Sequence, residues 1–263
     1  MSEHRLYIFL TIVITLCIHA ACGYRSEPED TSSAAPDPAR VSAAITESDV
    51  LFKQRQQDIG KLRDAISTLA KLRTSDKRNF DVEWRFARCS YFLGEQSRDK
   101  KESEASFTAG RDAGKIAANL APDKPDGHFW YGANLAELAD LSPVTVGLTS
   151  VKDIQAAMNR VIEIQPDYEK ATAYDVLAQI ELESHMTGGT PEKAAELLEK
   201  ALTIEKNNVD LHLHLAKAYL QLKRDADAKR ELEAVVKMKP DPEYESEDTD
   251  TIAEAKKLLA SRF

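Results

Sequence analysis

Residues 209–240, VDLHLHLAKAYLQLKRDADAKRELEAVVKMKP, restrict the fold more than any other stretch of this chain. Leu215 and Tyr219 share one face of a first helix, and Ala228 and Leu232 share one face of a second. Ala216 and Ala228 are small enough to let the two helices approach closely. Lys223 and Arg224 form a polar turn, Asp225 can cap the second helix, and Pro240 marks its exit. One such hairpin leaves an apolar face uncovered, so the pattern demands further copies.

Copies lie upstream. A degenerate hairpin pairs Asp49–Ile59 with Lys61–Arg73, entered where Thr46 and Asp49 have capping-box spacing, with Ala65, Leu69 and Leu72 at second-helix positions. The next begins near Asp81 with Trp84, Ala87 and Tyr91 and returns through Ala109, Ala113 and Ala117 to Pro122. A third opens with Pro125 and GHFWYGANL from Gly127 to Leu135. It returns from Ser150, spaced from Asp153 as a capping box, through Met158 and Val161 to Pro166, after the insertion LSPVTVGLT. A fourth pairs Ala171–Ser184 with Pro191–Glu205 across HMTGGTP, where Thr190 and Pro191 suit a cap and first turn. Beyond Pro242, Ile252, Ala255 and Leu259 form one apolar stripe, fit for a helix that covers the last hairpin. The expected fold is therefore all-α: antiparallel helical hairpins over 45–245, stacked into a right-handed superhelical solenoid, with a C-terminal capping helix over 246–263.

The first residues read as a targeting signal. Arg5 precedes an apolar run from Leu6 to Ile18, and His19-Ala20-Ala21-Cys22 ends it, giving a signal peptide over 1–21. That run, at 1.5 Å per residue, falls short of the ~30 Å hydrocarbon core. The ending resembles a bacterial lipobox, which would lipidate Cys22. Histidine in place of the usual leucine at position 19 also permits plain cleavage after Ala21, with a secreted or periplasmic product. By the sorting rule of such lipoproteins, Gly23 implies an outer-membrane anchor facing the periplasm. Residues 22–44, rich in Ser, Ala, Pro, Glu and Asp, read as a flexible tether. With Cys17 removed and Cys22 acylated, Cys89 alone keeps a thiol, so no intrachain disulfide is expected.

No catalytic constellation emerges, and the chain is expected not to be an enzyme and to need no cofactor. GRDAGKI imitates a phosphate loop, but Gly110 and Gly114 are too close and Ile116 stands where Ser or Thr is needed. His212 and His214 point apart on a helix and cannot share a metal. A formal charge of −9 with no dense basic cluster argues against nucleic acid. Consecutive Phe129, Trp130 and Tyr131 project about 100° apart on a helix. Tyr131 takes a core slot, Phe129 faces the concave groove, and Trp130 packs on a neighbouring hairpin. Arg85, Cys89, Asp175, Gln179 and Lys217 are the other groove-facing positions, and Arg88 fills a slot that usually holds Gly or Ala. Their mixed polarity suits peptide ends or a small apolar or anionic ligand.

The pattern at 209–240 resembles a tetratricopeptide (TPR) hairpin. FWYG, the insertion after it, PDYEKATAYDVLAQ, GGTPEKAAELLEKAL and the final hairpin together resemble the TatT family over about Asp49–Met238. Those are lipoprotein T components associated with tripartite (TRAP) solute transporters, similar in outline to regulators of microtubule dynamics. The resemblance implies a periplasm-facing scaffold with a protein partner such as a solute-binding protein. A small-ligand carrier and a structural envelope lipoprotein stay open beside it.

Overall fold

The computed structural model describes residues 37–74, 77–142, 148–183 and 189–263. Cys22, the signal and most of the tether lie outside the described residues, as do the centres of both insertions. The described residues form eleven α-helices and no strand. Ten pair as antiparallel hairpins: α1 (Pro38–Lys53) with α2 (Gly60–Ala70), α3 (Phe80–Gln96) with α4 (Lys100–Leu120), α5 (Pro125–Leu141) with α6 (Leu148–Ile164), α7 (Thr172–Glu183) with α8 (Pro191–Ile204), and α9 (Val209–Gln221) with α10 (Asp225–Lys237). Helix α11 (Glu245–Arg262) packs against α9 and α10 as the cap. The architecture is an all-α solenoid of TPR-like hairpins. No described helix is long and apolar enough to cross a membrane.

Local chemistry sets the helix starts. Asp37 accepts from Ala39 N at 3.0 Å ahead of Pro38, Asn79 from Val82 N at 3.2 Å, Asp99 from Lys101 N at 2.9 Å and Thr190 Oγ1 from Lys193 N at 3.3 Å. Three expected caps fail. The Asp37-Pro38 start draws α1 eight residues upstream of Thr46, into the stretch read as tether, and leaves Thr46 mid-helix with its hydroxyl donating to Ser42 O. Ser150 likewise sits inside α6. Asp225 is already helical, preceded by Arg224 with no side-chain cap.

Leu215, Ala216, Tyr219, Ala228 and Leu232 are all 4% exposed or less, as their spacing requires. Burial is continuous along the solenoid. One cluster runs from Phe52 and Leu62 through Phe92 and Trp130 to Leu177, a second from Ala171 to Ala255, and Ile162 and Leu197 pack against both.

The tightest crossing is α4 on α5, and GRDAGKI builds it. A Cβ on Gly114 would lie 2.5 Å from Tyr131 N, and one on Gly127 would lie 2.3 Å from Ala118 N. The backbones therefore touch. Beside them the buried Asn134 spans helices, its Nδ2 donating to Trp130 O at 2.7 Å and Ala87 O at 3.2 Å.

Candidate functional site

The odd-numbered helices pack on one another in series from α1 to α11, and their free faces line a concave groove of ≈ 1660 Å³. Positions 129, 133, 136 or 137 and 140 recur at helical spacing, so α5 presents Phe129, Ala133, Ala136, Glu137 and Asp140 along one wall. Helix α7 adds Asp175, Val176, Gln179 and Ile180, and α9 adds Asp210 and His214.

The ends of the solenoid meet across this groove. In the α1–α2 turn Arg55, 2% exposed, donates from Nη2 to Glu243 O, and its guanidinium lies 4.2, 4.5 and 5.5 Å from the rings of Phe52, Phe92 and Tyr244. Gln56 Nε2 donates to Glu243 O at 2.9 Å, and Ser246 N donates to Gln56 Oε1 at 3.1 Å. Opposite, Glu169, Lys170 and Ala171 all adopt the left-handed region, with φ of 44°, 56° and 62°. Such a turn costs roughly 1–2 kcal/mol per residue in L-amino acids. Contacts to the chain's last segment hold it: Tyr244 Oη donates to Glu169 Oε2 at 2.8 Å, and Lys170 Nζ pairs with Asp241 at 2.6 Å.

The groove is acidic. Among the described residues, twelve Asp or Glu line it against six Lys or Arg. Several of the cations are committed elsewhere, Arg63 to Glu102 and Lys170 to Asp241. Glu95 and Glu137 face each other carboxyl to carboxyl, with Asp140 and Glu247 close by. Desolvation, then the charge of Glu95, pushes Glu137 up to about 9. Glu95 opens to groove water but is otherwise ringed by protein, and desolvation raises it too. Burial also raises Asp210, whose carboxylate accepts from Thr251 Oγ1 at 2.7 Å. Asp175, 4% exposed, is held by His214 Nδ1 at 2.7 Å and by Gln179 Nε2 at 2.9 Å. Burial opposes the charge on His214, but Asp175's charge and hydrogen bond outweigh it and raise the imidazole pKa.

Four of the seven expected site residues, Phe129, Trp130, Asp175 and Gln179, line the groove. The other three do not. Arg85 and Arg88 are drawn to Asp49 on α1, at 3.0 and 2.8 Å, and Arg88 stacks 3.9 Å over Phe52. Lys217 pairs with Glu254 of α11 at 2.9 Å. Cys89 is fully buried, and desolvation pushes its thiol up to about 11. Of the aromatic triplet, Phe129 lines the groove and Trp130 packs on Tyr91 and Phe92 of the neighbouring hairpin, with ring centroids 5.6 and 6.0 Å apart, as expected, whereas Tyr131 is only half-buried instead of taking a core slot. The Tyr131 backbone abuts Gly114 of α4. An anionic ligand is also disfavoured, because the walls carry mostly carboxylates. Arg55, Glu95, Glu137, His214 and Tyr244 were not anticipated. The legible signals were the ladder from Phe129 to Glu137 and the step from Tyr91 to Glu95.

Two family models match. Residues 186–246 match a tetratricopeptide repeat. Residues 44–177, just over half of the chain, match "Regulator of microtubule dynamics protein 1-3". The chain belongs to that family. The match to the regulator of microtubule dynamics family runs from within α1 through the third hairpin to the start of α7, and the repeat model covers α8 to α10 and the first residues of α11. No curated protein matches the chain. Among solved structures, the thermophilic TPR protein TTC0263 of Thermus thermophilus aligns at a TM-score of 0.54 and 15% identity, over 81% of this chain and 97% of that one. MamA MSR-1 C2 aligns at 0.48 and 13% identity, over 84% and 98%. The likeness to TTC0263 shows the TPR fold.

Proposed function

We propose that this chain is a non-enzymatic scaffold whose groove receives a segment of a partner protein, carried at the periplasmic face of the outer membrane by a lipid on Cys22. The observation that carries the reading is the groove itself: a concave space of ≈ 1660 Å³ with an apolar floor, held open between two ends of the solenoid that are hydrogen-bonded together. Such a surface fits the partner-binding role of stacked helical repeats. The lipobox-like ending at Cys22 and the TatT-like segments support an accessory subunit of a TRAP-type uptake system, with a solute-binding protein as partner.

The test is affinity capture from envelope extracts with the wild-type chain, an Ala136→Arg variant that fills the groove and a Glu104→Arg variant on the exposed outer side of α4. A solute-binding subunit retained by wild type and Glu104→Arg and lost by Ala136→Arg is the expected outcome. Equal capture by all three, or none above control, refutes the reading. Radiolabelled palmitate incorporation that is abolished by Cys22→Ala is expected for the anchor.

A further inference from the structure

The two ends of the solenoid meet through a seam that is thin and polar. Residues 241–247 form its C-terminal side, and of these Pro242, Glu243, Glu245 and Ser246 are exposed. The α1–α2 turn and the end of α3 form the other side: Arg55 and Gln56 donate to Glu243 O, Gln56 also donates to Glu247 Oε2 at 3.1 Å, and Gln96 donates to Glu247 Oε1 at 3.5 Å. The apolar contribution of 241–247 is the Tyr244 ring, whose centroid lies 6.3 Å from that of Phe92. Bonds inside the C-terminal segment, from Asp241 N to Asp248 Oδ2 at 2.7 Å and from Glu243 N to Asp241 Oδ1 at 2.8 Å, hold its shape without help from across the seam. Parting the seam therefore exposes little apolar surface and leaves polar groups that water can satisfy. Closure also has a cost: Arg55 is 2% exposed and its Nε has no acceptor.

The same contacts load a second feature. Glu169, Lys170 and Ala171 stand in the left-handed region in succession, where each β-carbon is crowded. Tyr244 serves both the seam and this turn, since its ring lies 5.5 Å from the Arg55 guanidinium and 4.6 Å from Lys170 Nζ while its hydroxyl donates to Glu169. The Lys170–Asp241 pair adds a second tie, and Asn208 Nδ2 anchors the turn to α9 through Lys170 O at 3.1 Å. Within the turn, Tyr168 packs edge-on against Phe129 of the first apolar cluster, whereas Ala171 belongs to the second. The turn is thus where the two packed halves of the solenoid join.

We propose that the solenoid is a ring that opens at this seam, with residues 169–171 as its hinge. Withdrawing Tyr244 from Arg55 and Phe92 frees the ends, unloads the left-handed turn and gives the groove a side entrance. Relief of three left-handed residues and hydration of Arg55 favour opening; the seam's hydrogen bonds and the Tyr244 ring oppose it. Opposed contributions of this kind give a minor open population in exchange with the closed ring. The proposal concerns the ring's own motion and does not depend on what the groove receives.

Native-state amide exchange on the full chain, read at single residues, tests it. Ser246 N donates across the seam to Gln56 Oε1 at 3.1 Å and so reports opening, while Ala171 N, bonded to Asp167 O at 3.4 Å, reports the turn. In wild type both are expected to exchange through one opening, well ahead of the amides of α4. Tyr244→Phe deletes the bond to Glu169 and is expected to speed both about tenfold, the worth of a hydrogen bond to a charged acceptor. Gln56 bonds to Glu243, Ser246 and Glu247 and to none of residues 169–171. Gln56→Ala is nonetheless expected to speed Ala171 severalfold while the α4 amides keep their rates. An Ala171 rate unmoved by Gln56→Ala makes turn and seam independent, and a wild-type Ser246 as slow as α4 makes the ring open only on unfolding; either result overturns the proposal. So does a variant that speeds every amide alike, because the loss is then global.

Discussion

Gly114→Ala tests the α4–α5 crossing on which the groove wall is mounted, because it should reverse the usual sign of that substitution. In an ordinary helix interior, replacing glycine with alanine stabilises by about 0.5–1 kcal/mol. Here the added Cβ would stand 2.5 Å from Tyr131 N, 2.7 Å from Tyr131 Cα and 2.9 Å from Trp130 C. Comfortable contact needs about 3.5–4.0 Å, so the helices must part by roughly 1 Å. Neither side can yield by changing a rotamer, since the obstruction is backbone. Overpacking costs about 1–3 kcal/mol, and after the propensity gain the net should be about 1–2 kcal/mol destabilising. Urea denaturation followed by circular dichroism measures it. Gly127→Ala, with its Cβ 2.3 Å from Ala118 N, presses on the same crossing. The double variant should therefore lose less than the sum of the two. A Gly114→Ala protein as stable as wild type, or more so, refutes the close-contact reasoning.

Four further outcomes follow from named contacts. Arg55→Leu removes the clasp between the solenoid ends and should cost about 2 kcal/mol, the scale of a charge-assisted hydrogen bond with cation–π support; amide exchange across 241–262 should accelerate, and unchanged exchange there contradicts the closure. Glu83, fully buried, accepts from Arg73 at 3.0 Å and Arg78 at 2.8 Å, so Glu83→Gln should cost on the order of 3 kcal/mol in the same denaturation assay. Burial alone would lower the His212 pKa, but Glu231 at 2.7 Å and the Lys206 carbonyl raise it. The stability lost in His212→Gln should then be greatest below about pH 6.5 and fade as pH rises through the raised folded value. It should fade again at acid pH as Glu231, held low by His212, is protonated. Cys89, buried with its thiol pushed up to about 11, should resist maleimide in the native protein and react only on unfolding.

The repeat fold was legible because hairpin packing is written in local spacing. Leu215, Tyr219, Ala228 and Leu232 need only helical periodicity to declare their shared faces, and all are buried. The start of α1 is not legible in the capping-box spacing at Thr46, because its cap, Asp37-Pro38, lies in a Pro-rich stretch that resembles linker. GRDAGKI lacks the spacing of a phosphate loop, and its glycines instead mark close contact between helices, which a motif template cannot show. The groove was half legible. Phe129, Trp130, Asp175 and Gln179 follow from the repeat register alone. Arg85, Arg88 and Lys217 left the groove for carboxylates on α1 and α11, partners distant in sequence that no local pattern predicts. The closure by Arg55 and Tyr244, nearly 190 residues apart, was illegible for the same reason.

Site-specific photocrosslinking in the native cell tests the central claim most directly. A benzophenone amino acid at Gln179, on the groove wall, and at Glu104, on the exposed outer face of α4, reports which surface meets a partner. A protein crosslinked from position 179 and not from 104, and lost on adding Ala136→Arg, is the expected result. Crosslinks from position 104 alone, or a 179 crosslink indifferent to Ala136→Arg, would contradict a groove that receives a partner's segment.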